Sequence, residues 1–324
     1  MTRRTGADAT GRREPPGEAP RPRSVATPWL RSAAALAALL LLSACAQRGS
    51  ATPAPSTPAA PSPSVDLPDD GAAVVLRVEY VGGFVAPSSL VSRLPLYSLY
   101  ADGRLITDGP VDLRYPGPAL PNVLVQQLDA ATVQALADRA VAAGVGETTD
   151  LGSPPISDMP STRFTLTTAE GTVVREVYAL SEHVVEGDGA EMGLTEDQVD
   201  GRTRLRELLA ALFDVGQQPT PDGQAPVEPY VPTAVAAIAV PWMDPVDDLA
   251  HPELPWSGPD LPGELVGGPL DVSCGVATGE QASAVLAAAA TANAATPWVS
   301  GGTRWSVTFR PLLPDESGCA DLLD

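Results

Sequence analysis

Two proline-rich stretches divide this chain of 324 residues and limit how much of it can fold. Residues 46–70 combine six prolines with Ala, Ser and Thr and have almost no large apolar side chains. Such a segment cannot build a hydrophobic core and favours extended, polyproline-like conformations. A second Pro/Gly-rich stretch follows at 216–229. The pattern predicts a tether over residues 45–70, an α+β domain over 71–215, a linker over 216–229 and a small α+β domain over 230–324.

Alternating and turn-forming residues predict an antiparallel sheet in the first domain. Residues 74–81 alternate between apolar and polar side chains, which indicates a strand. Residues 96–107 indicate a hairpin that turns at Asp102-Gly103, because Asp-Gly is a strong signal for a two-residue turn. Residues 162–180 indicate a second hairpin around Ala169-Glu170-Gly171. We therefore expect two hairpins beside the opening strand.

Capping signals predict two helices in the same domain. Asp129 is placed to cap a helix that runs to Ala143, and Gly144 can end it in a left-handed conformation. Thr195 begins a second helix, with Gln198 at the capping-box position. Apolar residues mark one face of each helix, namely Val133, Leu136, Ala137, Ala140 and Val141 in the first and Leu205, Leu208, Leu209, Leu212 and Phe213 in the second. Both helices should pack on one face of the sheet.

The second domain shows a less regular pattern. Residues 233–242 predict an apolar strand, and residues 244–269 predict a long, acidic, Pro-rich loop. A helix should start at Thr278, with Gln281 at the capping-box position, and run to about Ala294. Residues 303–310 predict a closing strand. The expected fold class is α+β, with an antiparallel sheet and helices packed on one face, followed by a smaller α+β unit.

A short apolar segment ends in a cysteine near the start of the chain. Arg31 precedes an apolar run that is too short to span a bilayer, and the run closes with Leu42-Ser43-Ala44-Cys45. The first 45 residues resemble a bacterial lipoprotein signal with its lipobox. The resemblance implies cleavage between Ala44 and Cys45, so that residues 1–44 are the signal peptide, and acylation of the Cys45 thiol. The alternative is a buried free cysteine in a helix.

The signal resemblance has consequences for location and for the other cysteines. It implies a protein anchored by lipid to the outer face of the cytoplasmic membrane, and translation from Val25 would shorten the signal to 20 residues before Cys45. Stable anchoring needs two or more acyl chains. Outside the cytoplasm, Cys274 and Cys319 should form a disulfide that ties the second unit together. A metal pair and a reactive thiol are the alternatives for these two residues.

The charge of the chain excludes several classes of function. The formal net charge is −20, and removal of residues 1–44, with seven Arg and three acids, brings it to about −24. A domain this acidic repels the phosphates of nucleic acids, so we expect no nucleic-acid partner. The chain has no Lys, which excludes Schiff-base chemistry and Ser–Lys dyads. Its composition resembles that of actinobacterial lipoproteins, a likeness of style from which no functional residues carry over.

No sequence motif names a reaction. The chain has two histidines, His183 and His251, and neither belongs to a His-Glu-x-x-His pair, nor is there a Gly-x-Ser-x-Gly elbow. A Ser-His-Asp triad stays open, because its members meet in space. Two acidic clusters could bind calcium or supply a glycosidase pair, although neither has EF-hand spacing. They comprise Glu186, Asp188, Glu191, Glu196, Asp197 and Asp200, and Asp244, Asp247, Asp248 and Glu253. We expect no catalytic residues, metal or cofactor.

Four tryptophans lie close together in the second domain: Trp242, Trp256, Trp298 and Trp305. Core packing is the simpler explanation. An exposed subset would form a platform for a glycan or a partner protein. Together with the anchor and the tether, this cluster favours a binding or interaction module without catalytic activity. The alternative is an envelope hydrolase that acts on cell-wall or exported substrates.

Overall fold

Two β-sheets and four α-helices form the described part of the protein, which confirms the α+β class. The computed structural model describes residues 64–111, 113–180, 192–217, 226–247, 249–266 and 272–323. All of these residues belong to one compact unit. His183, Cys45 and residues 1–63 lie outside the described residues, as do Glu186, Asp188, Glu191 and Asp248.

The first sheet contains seven antiparallel strands in the order β6-β5-β1-β2-β3-β4-β7. The strands are β1 (Val74–Val81), β2 (Tyr97–Tyr100), β3 (Arg104–Asp108), β4 (Val123–Gln127), β5 (Ser161–Thr168), β6 (Gly171–Tyr178) and β7 (Glu228–Pro229). Both predicted hairpins are present, as β2–β3 and β5–β6. In the first of them Gly103 has a φ of 91°, and a Cβ there would collide with the carbonyl oxygen of Leu128. The turn therefore requires glycine.

Helices α2 (Ala130–Ala142) and α3 (Glu196–Gln217) cover one face of this sheet. The core between them contains mainly aliphatic side chains, among them Val75, Leu76, Leu99, Leu105, Leu136, Leu205, Leu208 and Leu212. The prediction that every residue of the two apolar stripes is buried is wrong for two of them, since Val141 is 46% exposed and Phe213 is 55% exposed.

Both helices begin as their capping residues predict. The Asp129 carboxylate accepts a hydrogen bond of 2.7 Å from the Thr132 N–H, and bonds of this kind lower the pKa of Asp129. Thr195 and Gln198 form the reciprocal capping box, with bonds of 2.9 and 3.3 Å between side chains and main-chain N–H groups. Gly144 ends α2 with a φ of 90°.

The second sheet contains six strands in the order β10-β11-β8-β13-β12-β9. They are β8 (Ala234–Pro241), β9 (Leu254–Pro255), β10 (Glu264–Val266), β11 (Val272–Thr278), β12 (Trp298–Ser300) and β13 (Thr303–Pro311). All pairs are antiparallel except β9–β12, which is parallel. The loop predicted over residues 244–269 is wrong in one respect, because it supplies both edge strands, β9 and β10. The strands are so short that no alternation marks them.

Helix α4 (Gly279–Ala289) packs on one face of this sheet, against Val235, Ala237 and Phe309. It is shorter than predicted, because residues 290–296 form turns instead. The predicted capping box is also wrong, since the Thr278 side chain makes no capping hydrogen bond. The opposite face of the sheet packs against α1 (Pro87–Ser92), a short helix between β1 and β2. The buried side chain of Val91 makes this contact.

The Cys274–Cys319 disulfide is present, as predicted. It joins β11 to a 3₁₀ turn over Cys319–Leu322, with the two Cα atoms 6.1 Å apart. The bond therefore ties the end of the chain to the face of the second sheet that α1 covers.

The face of the first sheet that α2 and α3 leave open packs against the segments that flank the second sheet. Tyr100, Ile106 and Val123 on that face form an apolar cluster with Leu313 and with Tyr230. The predicted linker overlaps regular structure at both of its ends. Helix α3 includes Gly216, and Glu228–Pro229 pairs with β4, so only the middle of the linker lies outside the described residues. The domain boundaries themselves stay a prediction.

Candidate functional site

A cleft lies between the open face of the first sheet and strand β13 of the second. It contains two neighbouring cavities, of about 450 and 870 Å³. Tyr80, Arg93 and Leu94 line both of them. Residues from both sheets thus build one site, and its position at the contact between two sheets is where small-molecule sites commonly form.

The smaller cavity is lined by side chains of opposite charge that bind one another. Asp315 accepts hydrogen bonds from Arg77 Nη2 at 2.8 and 2.9 Å and from the Tyr100 hydroxyl at 2.5 Å. Burial and the Asp315 carboxylate raise the pKa of Tyr100 far above its usual value, so its hydroxyl stays protonated and donates. Burial also raises the pKa of Glu79, against the opposing effect of Arg77 and Arg163. These groups therefore neutralise one another.

A buried ion pair closes the end of this cavity. Arg310 donates to Glu316 at 2.7 and 3.1 Å, and both side chains are almost fully buried. Glu316 also accepts a bond of 2.7 Å from the Leu313 N–H, while Arg310 donates to the Pro311 and Arg93 carbonyl oxygens. The pair consequently fixes the segment after β13 against the residue that follows α1.

The larger cavity is mostly apolar. Its wall includes Leu94, Leu96, Leu120, Val307 and Phe309. The loop that joins β3 to β4 forms one side of it and is attached to the turns that follow α4, where the Ala294 N–H donates to the Gly117 carbonyl oxygen at 2.9 Å. Asp108 is the acidic residue in this wall, and burial raises its pKa despite the opposing effect of Arg310. The cavity can therefore accept a largely apolar molecule.

Arg93 differs from the other arginines of the cleft. Arg77 pairs with Asp315, Arg163 with Glu79 and Glu176, and Arg310 with Glu316. Arg93 instead donates from Nη1 to the main-chain carbonyl oxygens of Tyr80 and Gly82, at 3.1 and 3.0 Å. Among the described residues it has no carboxylate partner. The positive charge of Arg93 is therefore not balanced by any described carboxylate of the cleft.

The tryptophans do not form an exposed platform as a group. Trp298 is 1% exposed and packs edge-on against Trp256 and Phe309, with ring centroids 5.7 and 5.4 Å apart. Including Trp298 in a ligand platform was therefore wrong, because its apolar ring completes the core under α4. Trp256 is half-buried beside it and donates to the Pro259 carbonyl oxygen. Trp305 is also half-buried.

Trp242 lies at a different place, beside the second histidine. Its ring meets that of His251 at 6.1 Å, and its Nε1 donates to Asp244. Asp247 contacts His251 Nε2 at 3.0 and 3.1 Å and accepts a bond of 2.9 Å from the Tyr115 hydroxyl. The bond to His251 is the main reason that the pKa of Asp247 is lowered. The group joins the two loops in which these residues lie.

Among the described residues, His251 does not belong to a serine triad, and no cluster of metal-ligating side chains is present. His251 Nδ1 is buried without a hydrogen-bond partner, so no described serine completes a triad with it. In the described ranges no three His, Cys, Asp or Glu side chains are grouped to hold a metal ion. Asp244 belongs to an ion pair with Arg304 at 3.1 Å. Glu196, Asp197 and Asp200 lie in the first turns of α3, where acids stabilise a helix.

Sequence reasoning did not identify the cleft, because its charged residues carry no common motif. Arg77 and Asp315 are 238 positions apart, and only the packing of the two sheets brings them together. Within the described residues, no helix is both long and apolar enough to cross a membrane. The chain matches no protein-family model, no curated protein and no solved structure.

Proposed function

We propose that this chain is a lipid-anchored, extracytoplasmic envelope protein that binds a small ligand in the cleft between its sheets. The observation that carries the binding function is the cavity of about 870 Å³, which is mostly apolar and bordered by Arg93, a residue that has no carboxylate partner among the described residues. Its volume lies in the range of about 300–1,000 Å³ that is typical of small-molecule sites. Binding without turnover is favoured because the charged groups beside the cavity are engaged with one another.

Three features support the location. The segment from Arg31 to Cys45 resembles a lipoprotein signal, and residues 46–70 have the composition of a tether. Val65 and Leu67 pack against the core of the first sheet and its helices, so the tether would comprise residues 46–63 and extend over about 55 Å at roughly 3 Å per residue. The Cys274–Cys319 disulfide is the third feature, since disulfides form and persist mainly in oxidising compartments. The cleft would then face the space outside the membrane.

Replacement of Cys45 should abolish anchoring. We expect the wild-type chain to incorporate an alkyne-labelled fatty acid in growing cells and to sediment with membranes, because the lipobox cysteine is the acylated residue. Cys45→Ala should lose the label. The matched control is Ser43→Ala, which keeps a small residue before the cysteine and should be labelled normally. Label retained by Cys45→Ala would contradict the proposed anchor.

Filling the larger cavity should remove the natural ligand. Leu120 lines this cavity, and Leu120→Trp adds volume there. We expect a compound to be recovered, in amounts close to one per protein, from organic extracts of the natively purified wild-type chain. Mass spectrometry should detect it in the wild type and in the surface variant Val174→Trp, and should find it lost in Leu120→Trp. Equal recovery from all three proteins would show that the cleft is not the ligand site.

A further inference from the structure

We propose that the ligand of the cleft is an amphipathic anion, with a carboxylate or phosphate group on Arg93 and an apolar body in the larger cavity. The inference rests on the proposed function, in which the cleft is the binding site. It adds the chemical class of the ligand and the residue that would recognise its charged group.

The first argument is the state of the Arg93 guanidinium. A guanidinium has five N–H donors and forms its strongest contacts with carboxylates and phosphates. Nη1 of Arg93 uses its hydrogens on two main-chain carbonyl oxygens, whereas Nη2 and Nε make no hydrogen bond with a described residue. Three N–H donors on one planar group, two on Nη2 and one on Nε, therefore stay available for an anion, and the Nη1 contacts hold the group in place.

The second argument is the position of Arg93 relative to the charged groups around it. The other three arginines of the smaller cavity are neutralised by Asp315, by Glu79 with Glu176, and by Glu316, at distances from 2.7 to 3.9 Å. An anion that entered there would displace an existing partner. An anion could bind Arg93 without displacing any described carboxylate. A half-buried cation without a counter-ion gains more from binding an anion than an exposed one does, because water screens it less.

The third argument is the junction of the two cavities. Arg93 and Leu94 line both, and the apolar wall begins with Leu94 and Leu96 and continues to Phe309. A molecule whose charged group contacts Arg93 can thus extend its apolar part along this wall. Burial of that part contributes about 25 cal/mol for each Å² removed from water. Affinity would come mainly from the apolar body, and selectivity from the charged group.

Asp108 in the same wall raises the competing possibility of a cationic ligand. Arg310 opposes the rise in the pKa of this carboxyl, so the negative charge there is already partly compensated. Arg93 has no comparable compensation. The charges that line the cleft therefore favour an anion, and a cationic probe with the same apolar chain tests the choice directly.

The test uses the full chain with Cys45→Ala, which avoids detergent, and probes kept below their micellar concentrations. Binding of dodecanoate, dodecyl phosphate, dodecanol, dodecylammonium and inorganic phosphate is measured by calorimetry. We expect both anionic chains to bind at least tenfold more tightly than dodecanol, and dodecylammonium and inorganic phosphate to bind weakly. The ratio of the two anionic affinities identifies the headgroup. Preference for dodecylammonium, or tight binding of inorganic phosphate alone, would overturn the proposal.

Two variants separate the headgroup site from the cavity. Arg93→Gln should lose the tenfold preference for anions while its affinity for dodecanol is unchanged, which also reports an intact cavity. Arg206→Gln on α3, on the other face of the first sheet, is the matched control and should keep the preference. If Arg93→Gln also loses dodecanol binding, Arg93→Lys is tested instead. This variant should keep a preference for anions, although a smaller one. Equal affinity for dodecanoate and dodecanol in Arg93→Lys would refute the assignment.

Leu120→Trp distinguishes a failure of this inference from a failure of the proposed function. We expect it to lose dodecanoate and dodecanol together, because it occupies the apolar cavity. If Leu120→Trp abolishes binding but Arg93→Gln keeps the anion preference, the cleft is a ligand site and the role of Arg93 is wrong. If Leu120→Trp binds every probe as the parent chain does, the cleft itself is not the site, and both proposals fall.

Discussion

Replacement of Glu316 by Gln is expected to destabilise the protein by about 3–5 kcal/mol, the usual cost of removing one partner of a buried ion pair. Arg310 and Glu316 are only 2% and 4% exposed in their side chains and lie 2.7 Å apart. The amide that replaces the carboxylate has nearly the same shape but no charge. It would leave Arg310 buried without a counter-ion. Urea unfolding followed by tryptophan fluorescence and by circular dichroism measures the change.

A double-mutant cycle shows whether the unpaired charge is the cause. Arg310→Met with Glu316→Gln removes both charges, so the double variant should be less destabilised than the sum of the two single variants. Asp244→Asn is the control for an exposed pair, since Asp244 binds Arg304 at the surface. It should barely move the unfolding midpoint. A Glu316→Gln midpoint as close to wild type as that of Asp244→Asn would show that the buried pair contributes little.

Removal of the disulfide is expected to cost about 4 kcal/mol of unfolding free energy, which is the chain-entropy value for a closed loop of this length. The bond joins residues 45 positions apart and fastens the last turn of the chain to β11. Cys274→Ala with Cys319→Ser removes it without leaving a free thiol or a buried hydroxyl at the interior position. Urea unfolding under oxidising conditions gives the difference from wild type.

Reduction of the wild-type protein provides the control for this variant. With a thiol reductant present, the wild-type midpoint should fall to that of the double variant, whose own midpoint should not respond to the reductant. Because the loss raises the population of the open chain, the last strand β13 should also become more sensitive to proteolysis. A wild-type midpoint unaffected by complete reduction would contradict the stabilising role.

Features that depend on a few neighbouring residues could be predicted from the sequence. The Asp129 cap, the Thr195–Gln198 box and the Asp102-Gly103 turn are all present. In each, a side chain satisfies a nearby main-chain group or a glycine adopts a conformation that other residues avoid, so the signal lies within four residues. The disulfide was also predictable, because the described second sheet and its tail contain the two cysteines that remain after Cys45.

Features that depend on a distant partner were not predictable. Strands β9 and β10 have two and three residues, and they are strands only because β12 and β11 lie beside them. Trp298 is core because Trp256 and Phe309 surround it, although the sequence shows the same aromatic residue type at Trp242 near a surface loop. Phe213 shares the period of its stripe and is nonetheless exposed. Periodicity predicts which side of a helix a residue occupies, but it does not predict whether another element packs against that side.

The sequence by itself determined the α+β class, the helices that begin at the predicted caps, the two hairpins and the pairing of the cysteines, since each follows from local conformation or from a small number of choices. Only the tertiary structure determines where the cleft lies and which charged residues line it. With 20 arginines and 40 acidic residues in the chain, no local rule selects which pair and which stays unpaired. Arg77 meets Asp315 and Arg310 meets Glu316, whereas Arg93 meets only main-chain oxygens among the described residues. The cause is that strand β13 and the segment after it pack on the one face of the first sheet that the helices leave uncovered.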